Sequence, residues 1–314
     1  MIHLLRRSAL ALVAISVASP LAAQEIDVGR LMTDLQVIAA DSMQGRRVGT
    51  PGSAAARAYI VERLNSLQIP VDSQVFEVTR GGQTVQGINV AAMLPGTSAG
   101  SGDPDTGAFA ITAHYDHLGT RGDDVFNGAD DNGSGTAALL SLAEALRDRP
   151  LRRTVVLVFF DAEEGGLDGA RTFVERAGAD LRSEVALNLN LDMVSRSEEE
   201  LWVAGTYQNP ALKSVVEGVE AAPGVVLRLG HDSPAWQGSD NWTTASDHGP
   251  FHQAGIPFLY FGVEDHPDYH RASDTADTVD PVWYDASVET ILGVVRALDD
   301  APDAVEAARS AKAR

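Results

Sequence analysis

The sequence predicts one α/β domain, a three-layer α/β/α sandwich around a mixed, largely parallel central sheet, and three observations predict it. Four apolar runs, at 109–113, 155–160 (VVLVFF), 185–191 and 256–261, read as buried strands, and VVLVFF is too continuous for a half-exposed one. Residues 136–146, rich in Ala and Leu, form a helical stretch between the first two runs. Buried strands alternating with helices are the signature of layered α/β folds. The remaining elements follow in order. At 53–68 the apolar residues Ala54, Ala58, Val61, Leu64 and Leu67 recur at helical spacing, with Ser53 placed to cap the start. Residues 71–78 and 84–94 read as strands joined through Gly81 and Gly82. A Gly/Ser/Asp/Pro loop follows at 96–107. There is no internal repeat and no linker long enough to divide the chain, so 24–303 is expected to be one domain, and the Ala-rich stretch 304–314 a loosely ordered tail.

The chain has 314 residues, with 44 acidic against 24 basic side chains and a formal net charge of −20. That length supports a sizeable core. So acidic a chain lacks the clustered Lys and Arg that phosphate contacts require, which disfavours nucleic acid and anionic membranes as partners. Cysteine is absent, so there are no disulfides, no thiolate nucleophiles and no Cys-held metal. Any metal must be held by His and carboxylates.

The first residues read as an address. Arg6 and Arg7 precede an apolar run from Ser8 to Ser19, and small residues follow up to Gln24. This order is that of a secretory signal peptide over 1–23, and the run is shorter than the ~20 residues needed to span a bilayer. The expectation is an exported bacterial protein, periplasmic or secreted, with no membrane anchor once the signal is removed. The sequence leaves the oligomeric state open, a monomer included.

The chemistry gathers where the buried runs stop. His114, Tyr115 and Asp116 follow the first, Asp161, Glu163 and Glu164 the second, and Asp192 the third. Asp130 and Asp131 precede the Ala/Leu helix, and Tyr269, His270 and Arg271 lie in a later loop. Ligands of open α/β sheets bind beyond the carboxyl ends of the strands. Taken singly, each of these residues has an ordinary explanation: a lone His as a hydrogen-bonded residue, Glu163-Glu164 as a solvated helix start, Asp130–Gly133 as a turn. Several carboxylates converging on one rim could not all stay ionised without a cation, and the joint pattern implies a metal centre. Other chemistries lack their motifs. No G-x-S-x-G elbow, P-loop or H-E-x-x-H occurs, and the EF-hand-like start at Asp130 has Ser141 where a bidentate Glu is required.

The segments AHYDHLG (113–119), NGADDNGSGTAALL (127–140), FFDAEEGGLDGA (159–170), LNLDMV (189–194) and YHRASDTADTVD (269–280), with weaker matches at 41–64 and at SDHGPF (246–251), resemble those of M28-family zinc aminopeptidases. The resemblance covers nearly the whole chain beyond the leader. It implies a zinc-peptidase type of fold and two Zn2+ ions, for which Co2+ or Mn2+ could substitute. His114 and Asp192 would hold one ion and Glu164 and His270 the other. Asp130 would bridge them, next to a cis peptide to Asp131. Asp116 would orient His114, and Glu163 would be the general base in hydrolysis of the N-terminal residue of a peptide. Three carboxylates against two divalent ions leave +1, enough to hold a hydroxide. His117, His231, His252 and His266 match no family ligand, and His248 is expected to support the site from behind. Met193, Tyr269, Trp236, Trp242 and Phe258 are candidates for an apolar side-chain pocket. A glutaminyl cyclase-like or a non-enzymatic, receptor-like member of the same fold is the alternative.

Overall fold

The computed structural model describes residues 25–80, 82–98 and 107–312, and the expected leader lies outside them. Its centre is an eight-stranded mixed sheet. The strands are β1 (Val71–Arg80), β2 (Gln83–Leu94), β3 (Ala108–His114), β6 (Val155–Phe160), β7 (Val185–Leu191), β8 (Glu200–Ala204), β9 (Val226–Leu229) and β10 (Phe258–Gly262), while β4 (Gly119–Arg121) and β5 (Asp124–Phe126) pair separately. The spatial order is β1-β2-β6-β3-β7-β10-β8-β9. The middle strands β6, β3, β7 and β10 run parallel, and β1, β2 and β8 join antiparallel to their inner neighbours. The VVLVFF run forms β6 because both of its faces are covered; only Val156 is partly open.

Helices cover both faces. On one side α1 (Val28–Ile38), α2 (Pro51–Ser66), α3 (Gly135–Asp148) and α8 (Pro281–Asp299) bury Leu31, Leu35, Ile60, Leu64, Leu139, Leu142, Ile291 and Val295 in the main core. On the other, α4 (Asp168–Ala177) and α7 (His248–Gln253) enclose Phe160 and Phe251, with α5 (Asp180–Glu184) adding Leu181. The short α6 (Lys213–Glu217) adds Val216 to the main core.

Two expectations change. Thr50, not Ser53, caps α2, accepting a hydrogen bond from the Ser53 N–H, with Pro51 at the first turn where its missing N–H costs nothing. Of the stretch 304–314, expected to be loosely ordered, the described residues 304–312 belong to a helix, α9 (Pro302–Lys312), which buries Val305 and Ala308 while Arg309 donates to the Arg182 and Ser183 carbonyls. No helix among the described residues is long and apolar enough to cross a membrane.

Candidate metal centre

The carboxyl ends of β3, β6 and β7 open onto one rim, and each delivers a polar side chain there. β3 ends at His114, whose ring is fully buried. Its Nε2 lies 3.3 Å from Asp192 Oδ1, just beyond β7, and 3.6 Å from Asp131 Oδ1. Its Nδ1 is 3.2 Å from the Asp116 carbonyl and 3.6 Å from the Asp116 carboxylate, so Asp116 sets the ring's direction through two oxygens. The Asp116 carboxylate also accepts a hydrogen bond from the Glu163 N–H at 2.9 Å, linking the ends of β3 and β6.

Asp131 occupies the middle. Its second oxygen lies 3.0 Å from His270 Nε2 and 3.8 Å from His117 Nδ1. Glu164, on the turn after β6, is 3.3 Å from His270 Nε2 through Oε2 and 2.5 Å from His117 Nδ1 through Oε1. Donor atoms of His114, Asp131 and Asp192 all lie within 4.8 Å of one another, and so do those of His117, Asp131 and Glu164. Two clusters therefore share one carboxylate.

The expected bridging residue, Asp130, is displaced by its neighbour. Asp130 is fully buried, but its Oδ1 accepts from the Ser195 N–H (2.8 Å) and hydroxyl (2.7 Å), and its Oδ2 faces His266 at 3.3 Å. The backbone imposes this arrangement. Gly128 is left-handed (φ 51°), and the amides of both Asp130 and Asp131 donate to Asp274, which turns the Asp131 side chain toward the histidines. The cis peptide likewise joins Asp131 to Asn132, one bond later than expected. Asn132 anchors the turn beside the ligand strand. Its amide donates to the Leu191 carbonyl, and its oxygen accepts from the Gly135 and Met193 N–H groups. Ala162, Met193 and His270 are all left-handed non-glycine residues (φ 63°, 58° and 56°), the kind of local strain that collects at functional sites.

Electrostatics explain why such a cluster suits divalent cations. Burial lifts Glu163 well above the usual carboxylate range; His114 opposes that rise, and Asp192, Asp247 and Glu164 reinforce it. Burial and the nearby Glu164 also raise Asp131. Burial disfavours charge on His114, yet Asp192 and Glu163 outweigh it and raise that imidazole well above 6.5. Hydrogen bonds to Asp131 and Glu164 push His270 up to about 10. In the metal-free chain protons must offset what metal ions would otherwise neutralise. The donors fit zinc in type and spacing. Zn–N and Zn–O bonds of ~2.0–2.1 Å put two donors of a tetrahedral ion ~3.3 Å apart, and the His114–Asp192, His114–Asp131, His270–Asp131 and His270–Glu164 separations span 3.0–3.6 Å.

Behind the centre, His248 donates from Nε2 to the Trp242 carbonyl at 2.7 Å and packs between Phe258 and Tyr260. The Tyr260 hydroxyl donates to the Asp192 carbonyl, so His248 supports a candidate ligand at one remove. The proposed pocket residues separate. Phe258 is fully buried within β10 and Met193 is buried beside Asn132, so both belong to the core. Trp236 and Trp242 sandwich His231, with ring centroids 3.9 and 3.6 Å away. Tyr269 alone stacks on a candidate ligand, His270, at 4.0 Å. Sequence reasoning missed Asp131 as the shared acid, although the Asp130-Asp131 pair held the signal. It also set aside His117, three residues after His114, and passed over Asp247, a buried acid whose two oxygens find no hydrogen-bond partner among the described residues.

A mixed sheet covered by helices on both faces, with His and carboxylates gathered at its carboxyl rim, is an α/β/α sandwich with a candidate metal centre. The match to known proteins narrows the class. Residues 89–295 match the model of Peptidase family M28, and the chain belongs to that family. It is 32% identical over 176 residues to aminopeptidase YwaD of Bacillus subtilis, covering 54% of this chain and 36% of YwaD. It is 30% identical over 239 residues to leupeptin-inactivating enzyme 1 of Streptomyces exfoliatus, covering 74% of this chain and 48% of that protein. The chain thus spans half or less of these curated relatives. Among solved structures, a zinc aminopeptidase from Bacillus subtilis superposes with a TM-score of 0.70 at 16% identity, covering 86% of this chain and 95% of that one. A glutaminyl cyclase from an Acidobacteriales bacterium superposes with a TM-score of 0.72 at 21% identity, covering 93% and 100%. At such identities these structures speak to the fold.

Proposed function

We propose that the chain is an exported aminopeptidase that uses two zinc ions to hydrolyse the N-terminal residue of peptides. The observation that carries this reading is the shared position of Asp131 between His114 and Asp192 on one side and Glu164 and His270 on the other. When bound, two zinc ions supply Lewis acidity to the scissile carbonyl and to the attacking water. The protein's own part is proton handling and orientation. Glu163 belongs to neither donor cluster, and its backbone N–H holds it beside them by donating to the Asp116 carboxylate. It takes the proton of the attacking water and returns it to the departing amine. Asp116 keeps the His114 imidazole aligned, and Tyr260 steadies Asp192. The family membership and the aminopeptidases among the relatives support peptides as substrates; export rests on the leader alone.

Aminoacyl-p-nitroanilides assayed after chelation, and again after zinc is restored, test the proposal. Activity should vanish and return. Unchanged turnover in the stripped protein would refute it. A second reading, glutaminyl cyclase-like, draws on the glutaminyl cyclase fold neighbours. It predicts ammonia release from N-terminal glutamine peptides in place of amino-acid release, which the same preparation can report.

A further inference from the structure

His117 is a rim histidine that the resemblance leaves without a role and that touches a candidate metal ligand directly, through Glu164. Its ring is fully buried and its seat is built by several contacts. Arg46, also fully buried, donates to the carbonyls of Tyr115 (2.7 Å), Asn127 (2.5 Å) and Gly128 (2.8 Å), clamping the segment that carries His114 and His117 to the segment that leads into Asp131. The ring lies so close to Gly128 that a Cβ there would come within 2.5 Å of His117 Cγ and Cδ2. A larger residue at 128 would push the imidazole away.

In this seat the ring has one short polar contact, from Nδ1 to Glu164 Oε1 at 2.5 Å, and its Nε2 is buried with no partner among the described residues. Two ligands of one tetrahedral zinc stand ~3.3 Å apart, whereas 2.5 Å is tighter even than the ~2.7–2.9 Å of a charge-assisted N–H···O hydrogen bond, so the pair is spaced to share a proton and not an ion. The proton placement agrees. Were Nδ1 a metal donor, the ring's proton would sit on Nε2, where nothing accepts it, and buried N–H groups without acceptors are costly. With the proton on Nδ1, Nε2 keeps only a lone pair. His270 meanwhile approaches the other oxygen, Oε2, at 3.3 Å.

We propose that His117 is a positioning residue. Its Nδ1–H holds Glu164 Oε1 and thereby presents Oε2 alone to the cation shared with His270 and Asp131. This rests on the two-metal reading and adds a division of labour within one ligand: one oxygen for the protein, one for the ion. The affinity and coordination of the ion held by Glu164 and His270 then depend on a hydrogen bond from a residue that does not touch the ion.

The test titrates metal-free wild type, His117→Ala, His117→Leu and His117→Asn with Co2+, following visible absorption and affinity by calorimetry, with thermal unfolding of each metal-free protein as the folding control. An Asn amide N–H reaches roughly where Nδ1–H lies, but it supplies no nitrogen lone pair to a metal. The Ala and Leu variants should bind the ion held by Glu164 and His270 ~10–100-fold more weakly, the usual effect of losing such a support. The ion held by His114 and Asp192 should be unaffected, and Asn should restore most of the loss along with the wild-type spectrum. Equal losses in all three variants with altered cobalt bands would make His117 a direct ligand and overturn the proposal. Wild-type affinity and spectrum in all three would also overturn it. If wild type takes up fewer than two ions, the two-metal reading fails first, and this proposal with it. If wild type takes up two, only the role of His117 is at stake.

Discussion

Replacing Glu163 by Gln separates catalysis from metal binding. The carboxylate belongs to neither donor cluster, its backbone N–H is tied to Asp116, and Gln preserves its size, so both ions should still bind. What is lost is the ability to accept a proton. A positioned general base contributes ~10²–10⁴-fold, which is ~3–5 kcal/mol of barrier at 1.36 kcal/mol per decade. The loss should fall on kcat far more than on KM, since the transfer occurs in the transition state. A second consequence is specific to this site. Glu163 sits among Asp192, Asp247 and Glu164, which together with burial oppose its ionisation. Removing it should therefore raise the thermal stability of the metal-free protein at pH 8, where the ionised form is costly. The assay combines metal analysis by mass spectrometry, steady-state kinetics on leucine-p-nitroanilide and unfolding of the stripped protein. A fully loaded Glu163→Gln variant turning over within tenfold of wild type would refute the assignment of the base.

The remaining predictions concern the frame around the site. Asp131→Asn should weaken both ions and abolish activity, whereas Asp130→Asn should keep both bound, because its carboxylate faces Ser195 and His266; dialysis against limiting zinc with metal analysis distinguishes them, and the reverse order would restore Asp130 as the bridge. Asp34 is fully buried and accepts from Arg63 Nε at 2.9 Å and from the Tyr59 hydroxyl at 2.6 Å. Asp34→Asn leaves the buried Arg63 with Glu144 at 3.3 Å and the neutral Ser66 hydroxyl, and should cost ~3 kcal/mol in urea unfolding, at the low end for a broken buried pair. His248 is held neutral, its pKa pushed down to about 4 chiefly by burial. The unfolded chain binds that proton near 6.5, so stability is full above about pH 7 and falls through about pH 4, by ~3 kcal/mol at 1.36 kcal/mol per unit. Denaturant titrations from pH 7 to 4 should show that loss in wild type and a smaller one in His248→Asn; parallel curves would contradict the burial argument.

How much could be read beforehand depended on how local the cause was. β6 was legible residue for residue, because an uninterrupted apolar run ending in an acid means a strand buried on both faces, and β7 was legible from its apolar residues despite Asn188 and Asn190. The half-buried edge strand β9 gives no such signal and went unread. The 304–312 stretch was misread because its composition is that of a solvated segment, whereas its order comes from docking Val305 and Ala308 onto distant elements. At the site, residue types and order were legible, but one position was ambiguous. Asp130 and Asp131 are adjacent and identical, and only the three-dimensional turn, with both amides on Asp274, decides which faces the histidines. Phe258 illustrates the converse: an aromatic beside a site motif looks like a pocket wall until the strand it belongs to is seen to be covered. His117 lay in plain view in AHYDHLG, yet its meaning depends on Glu164, 47 residues away.

The central claim is that Asp131 joins two cations at one rim. Cobalt titration of the metal-free protein, followed by electron paramagnetic resonance, examines it directly. The account predicts two equivalents bound per chain, with the signal of the first diminished by spin coupling as the second binds across the shared carboxylate, and both features lost in Asp131→Asn. A single equivalent, or two equivalents whose signals simply add, would contradict it.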